Sequence, residues 1–128
     1  MLDSAAIIAF IPTTKPQEAR HFYEHILGLE FVGEDAFALE FNANGVTVRV
    51  ANVSSEKNFA PAPFTILGWA VDTIDDAVRD LTDRGVVFEK YRALEQDALH
   101  IWESPSGARI AWFKDPEGNV LSITEYYP

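Results

Sequence analysis

The chain has 128 residues, a formal net charge of −10 and no cysteine. That length supports one domain with a sizeable core, and the missing thiols exclude disulfides, cysteine ligands and thiol nucleophiles. The acidity argues against nucleic acid or an anionic membrane as partner; it fits a cationic small ligand, or plain solubility.

The start, Met1-Leu2-Asp3-Ser4, lacks the basic residues of a secretory signal. No apolar run approaches the roughly 20 residues of a membrane span, so a cytoplasmic location is the expectation. Ala5–Ile11 reads as a buried strand. Thr14-Lys15-Pro16-Gln17 then reads as a helix start, with Thr14 capping and Pro16 in the first turn. Ala19, Phe22, Tyr23 and Ile26 make a helical apolar face, and Gly28 stops the helix. Leu29–Val32 and Phe37–Phe41 read as strands. Asn42-Ala43-Asn44-Gly45 is a hairpin turn, followed by a strand whose Val46, Val48 and Val50 alternate with Thr47, Arg49 and Ala51.

Residues 53–63 are polar, contain Pro61 and Pro63, and read as a linker. The pattern then restarts. Phe64–Val71 reads as a strand, and Thr73-Ile74-Asp75-Asp76 as the cap of a helix that buries Ile74, Ala77, Val78 and Leu81 before Gly85. Val86–Tyr91 reads as a strand and residues 92–97 as a polar connection. Leu99–Glu103 and Ala108–Phe113 flank a turn at Ser104-Pro105-Ser106-Gly107. A second turn, Asp115-Pro116-Glu117-Gly118, leads into the final strand, Asn119–Glu125.

Three anchors repeat in order between the halves: Ile11 with Val71, the run from Gly28 with the run from Gly85, and Gly45 with Gly118. Their offsets are 60, 57 and 73 residues, so the repeat is structural with insertions. The expected architecture is a single domain, 1–128, of class α+β. Two tandem βαβββ units, about 5–52 and about 64–126, form curved mixed sheets around a concave pocket, the usual site for a small ligand.

With those residues in place, the chain resembles the vicinal oxygen chelate superfamily of glyoxalase, bleomycin-resistance and extradiol dioxygenase relatives. The resemblance rests on Phe22-Tyr23 with Leu27-Gly28-Leu29, on Val71-Asp72-Thr73-Ile74, and on Phe113-Lys114-Asp115-Pro116-Glu117-Gly118-Asn119. It implies a homodimer. It also implies where a metal-using relative places its ligands: a histidine on the first strand of each unit, and an acid on the last. Here those positions read Ala6, Ile66, Arg49 and Ser122. Two have no donor atom, one is a weak neutral ligand and one is a permanent cation, so no metal and no cofactor is expected.

The remaining candidates each have two readings. Arg49 clamps an anionic ligand, or it pairs with an acid such as Glu40 or sits at a dimer edge. Thr47, Arg49, Ala51, Val120, Ser122 and Thr124 share a parity that would line a pocket wall. His21 and His25 have the one-face spacing of metal ligands, yet they flank the apolar stripe toward solvent. His100 could serve as a weak candidate acid or base, or be a solvated strand residue. Trp69 has core parity, whereas Trp102 and Trp112 either stack on a ligand or pack inside. The function expected is metal-free binding of a small, partly aromatic organic molecule, such as a drug or metabolite. The alternative is a lyase, isomerase or dioxygenase of the same superfamily.

Overall fold

Asn44 and Gly45 both adopt positive φ, 51° and 90°, which closes a two-residue hairpin whose twist matches its strands. The Gly45 N–H also donates to Asn42 Oδ1 at 2.8 Å. Around this turn the first half of the chain assembles. The structure, a computed structural model, describes residues 1–127, and the chain divides into two compact units, Met1–Pro61 and a second from Ala62 on.

In the first unit the elements are β1 (Ile8–Thr13), α1 (Pro16–His21), β2 (Glu30–Glu34), β3 (Ala38–Ala43) and β4 (Val46–Asn52). They form a four-stranded mixed sheet in the order β1-β4-β3-β2, with β1 parallel to β4. The expected strand Ala5–Ile11 is displaced by this pairing: β1 begins at Ile8 and runs through Pro12. Proline is tolerated there because β1 lies at the edge of its sheet, paired with β4 alone in the strand order. Ala6 therefore lies ahead of the strand and is exposed. The helix start also differs from expectation. The cap position falls on Lys15, and its N–H donates to Thr13 Oγ1 at 3.0 Å.

After His21 the helix widens into a π-type turn, Phe22–Ile26, closed by Leu27 N–H to the Phe22 carbonyl at 2.9 Å. Gly28, at φ 78°, then reverses the chain. The buried side of this segment, Ala19 and Tyr23, faces the core of Ile11, Leu39, Phe41, Val48 and Val50. Tyr23 and Phe41 lie 6.0 Å apart and Phe31 meets Phe41 edge-on at 5.6 Å, contacts that add to simple area burial.

The second unit repeats the plan with β5 (Thr65–Ala70), α2 (Ile74–Asp83), β6 (Trp102–Glu103), β7 (Arg109–Lys114) and β8 (Val120–Glu125). The sheet order is β5-β8-β7-β6, with β5 parallel to β8. The helix buries Ile74 and Val78 over Ala111, Phe113, Leu121 and Ile123. Trp69 takes the expected core parity and stacks on Phe113 at 6.5 Å. The β7–β8 hairpin is built on Asp115, whose Oδ1 accepts from the Glu117 and Asn119 N–H groups at 2.9 Å each. Gly118 closes it at φ 94°.

Two expected strands fail. Val86–Tyr91 contributes one antiparallel bridge, Phe88 to Phe113, because a side chain takes its next donor: Tyr91 N–H bonds Gln96 Oε1 at 2.7 Å. Leu99–Glu103 shrinks to Trp102–Glu103, because His100 sits at φ 65° and cannot continue an extended strand.

Candidate functional site

Cross-strand partners share a sheet face, so the registers sort the candidate residues. In the second unit Trp102 is opposite Ile110, Trp112 opposite Ser122, and Ser122 opposite Gly68. These residues occupy the face away from α2. On it three aromatic rings gather. Trp112 lies 6.0 Å from Trp102, and Tyr91 meets Trp112 edge-on at 5.5 Å. The Trp112 indole N–H donates to Thr65 Oγ1 at 3.1 Å. Both tryptophans stay partly exposed, which leaves ring surface available for stacking.

Tyr91 was missed by the sequence reading. It is held by the Gln96 side chain, whose Oε1 accepts from Tyr91 N–H while its Nε2 donates to the Glu89 and His100 carbonyls at 3.0 and 2.7 Å. Burial, and secondarily the charge of Glu89, raises the Tyr91 phenol above its ordinary value, so it remains a neutral donor at physiological pH. Nothing in the local sequence marks this residue, because its partner lies in an irregular loop.

In the first unit the register sets Arg49 opposite Phe10 on one side and Glu40 on the other. Thr47 and Ala51 share that face. The guanidinium donates to Glu40 Oε1 at 3.0 Å and Asp35 Oδ2 at 3.3 Å. Asp35 in turn accepts from the Phe37 and Ala38 N–H groups at 2.8 and 2.9 Å. Those two bonds, then Arg49, hold its carboxyl below the usual range. The three side chains border an open hollow of about 170 Å³ floored by Gly33 and Ala38.

The donor chemistry for a metal does not fit. Ala6 and Ile66 offer no donor, Ser122 is neutral and buried, and Arg49 carries a cation already matched to two acids. Among the described residues no group of three or more His, Asp or Glu side chains could hold an ion. Ile66 sits at an irregularity in the β5–β8 register. His21 and His25 are exposed, with rings 5.4 Å apart and His25 facing Glu24 at 3.5 Å. His100 is not on a strand. Its Nδ1 lies 3.0 Å from the Phe88 carbonyl.

Two successive βαβββ units, each with a four-stranded mixed sheet and a helix on one face, define the glyoxalase-type α+β fold. The chain belongs to the Glyoxalase/Bleomycin resistance protein/Dioxygenase superfamily, whose profile matches residues 3–123. Solved structures agree. A superfamily member from Sphaerobacter thermophilus DSM 20745 is 25% identical with a TM-score of 0.78, the match covering 98% of this chain and 100% of that one. TnmS3, an antibiotic binding protein from Streptomyces sp. CB03234, is 21% identical with a TM-score of 0.73, covering 99% of each. A glyoxalase family protein from Bacillus anthracis is 19% identical with a TM-score of 0.73, covering 97% of this chain and 96% of that one. No curated protein matches the chain. Among the described residues no helix is long and apolar enough to cross a membrane.

Proposed function

We propose that this protein binds a small, planar organic molecule on the face of its second sheet away from α2, without a metal. The observation that carries the reading is the grouping of Tyr91, Trp102 and Trp112, with rings 5.5–6.0 Å apart and the Ser122 position beside them. Such a platform supplies stacking area, while the Trp112–Thr65 bond fixes one ring's orientation. Superfamily membership supports small-molecule binding in general terms, and the antibiotic binding of TnmS3 shows that one protein of this fold serves in that role. The residue types at Ala6, Ile66, Arg49 and Ser122 support the metal-free part. A homodimer in the cytoplasm belongs to the same proposal.

The test is a screen of planar drugs and aromatic metabolites by thermal shift, with hits confirmed by quenching of tryptophan fluorescence. A ligand that binds only the folded state raises the melting temperature. Trp112→Ala should weaken a hit roughly tenfold or more, the usual cost of removing a central aromatic anchor. Hits should be recovered chemically unchanged. A hit converted to product, or bound equally well by Trp112→Ala, overturns the reading.

A further inference from the structure

A second, separate hollow, open to solvent, lies within the same unit on the helix side of the sheet. It has a volume of about 280 Å³ and is walled by Val78 and Thr82 of α2, by Val86 and Phe88, and by Leu99 and His100. Its lining residues are apolar apart from Thr82 and His100. The volume leaves room for one substituted ring against the apolar wall.

The imidazole is held in place. His100 adopts φ 65°, a conformation that costs energy and persists only where its surroundings enforce it. Here they do. Gln96 Nε2 donates to the His100 carbonyl at 2.7 Å, and His100 N–H donates to the Asp97 carbonyl at 2.9 Å. Asp97 Oδ1 accepts from the N–H groups on both sides, Leu99 and Ile101, at 2.9 Å each. The ring's Nδ1 faces the Phe88 carbonyl at 3.0 Å. A carbonyl only accepts, so Nδ1 carries the hydrogen, and the tautomer with hydrogen on Nδ1 alone has its lone pair on Nε2. Among the described residues Nε2 has no hydrogen-bond partner.

We propose that this hollow is a binding site for a neutral single-ring phenol, whose ring lies against the apolar wall and whose hydroxyl donates to His100 Nε2. The site needs nothing from the Trp102–Trp112 face, so it stands independently of the function proposed above. The chain's net charge of −10 favours a neutral occupant over a carboxylate.

The experiment compares p-cresol with p-xylene, which differ only in hydroxyl against methyl, by ¹H–¹⁵N NMR titration of the full chain. Expected are amide shifts centred on Val87, Leu99 and His100, a change in the His100 Nε2 resonance, and about fivefold tighter binding of p-cresol, one neutral hydrogen bond's worth. Val87→Trp, at a position 76% exposed and outside the core, should block both compounds by filling the mouth. His100→Asn, which tolerates positive φ, should remove the preference for p-cresol. Equal affinity for the two compounds in the native chain overturns the proposal. So does binding indifferent to Val87→Trp, shifts confined to Trp102 and Trp112, or no binding at all.

Discussion

A Cβ placed on Gly68 would lie 2.8 Å from the Ser122 hydroxyl and 3.2 Å from its carbonyl oxygen. The two are register partners on adjacent parallel strands, and Ser122 is buried. The glycine is thus required by its neighbour rather than by its own backbone. Gly68→Ala should cost about 1–3 kcal/mol, the usual range for overpacking. Adding Ser122→Ala should recover only part, because the carbonyl contact survives the second change. The urea midpoint should fall with an unchanged m-value; full recovery in the double variant would place all the strain on the hydroxyl.

The start of α2 makes a second test. Thr73 occupies the cap position, yet its side chain makes no capping bond. The Ile74 N–H instead donates to Glu125 Oε1, 2.9 Å away and 51 residues on. A carboxylate at this end also complements the helix dipole. Thr73→Ala should therefore change stability little, while Glu125→Ala should cost about 1 kcal/mol, as loss of a cap does. Thermal melts of the two variants decide it, and the reverse order would restore the threonine as cap.

That contrast shows what could be read from the chain alone. The Asn44-Gly45 hairpin and the Asp115-Pro116-Glu117-Gly118 turn are local events, determined by residues within four positions of each other, so the sequence displays them. The shared-face parity of Thr47, Arg49 and Ala51, and of Val120, Ser122 and Thr124, also follows from alternation and matches the registers. Val86–Tyr91 and Leu99–Glu103 read as strands from their apolar patterning, but polar side chains two to five residues away take the backbone donors that strand pairing would use. Gln96 and Asp97 capture the backbone donors of Tyr91, Leu99 and Ile101, and His100 takes a conformation that few non-glycine residues enter. The same loop delivers Tyr91 to the aromatic group, so the part of the site hidden from the sequence is the part built by this loop.

Acid should act on the other tie at α2. Arg109 makes a two-pronged pair with Asp75, Nη1 to Oδ2 at 3.1 Å and Nη2 to Oδ1 at 3.0 Å, and faces Asp97 at 3.5 Å. The Arg109 bond holds the Asp75 carboxyl below its usual value of 3.8. A depressed folded-state pKa gives stability that is complete above the unfolded value and lost as pH falls through the folded one. Asp75→Asn should remove that share of the acid sensitivity, narrowing the gap in melting temperature between pH 6 and pH values below about 4. Because both groups are partly exposed, a double-mutant cycle with Arg109→Ala should return about 0.5–1 kcal/mol of coupling at low salt and less at high salt.

Arg49 can be tested without knowing any ligand. Its two partners differ in kind. Glu40 is held across the β3–β4 ladder, whereas Asp35 is held first by the Phe37 and Ala38 N–H groups and only then by Arg49. Arg49→Ala should therefore leave the Asp35 carboxyl still below 3.8, with only a small upward movement in an NMR titration of its carboxyl carbon. Stability contributed by Asp35 is present above the unfolded pKa and lost as pH falls through the depressed one, so the variant should keep most of that acid dependence. The same variant separates the two roles open to this guanidinium. An aromatic carboxylate that bound Arg49 would have to displace Asp35, the longer of its two pairs at 3.3 Å. Such a ligand should bind more tightly to Asp35→Asn than to the native chain and lose affinity in Arg49→Ala, whereas its amide should be indifferent to both. If carboxylate and amide respond alike, Arg49 serves to hold the Asp35 turn against β4 and takes no part in recognition.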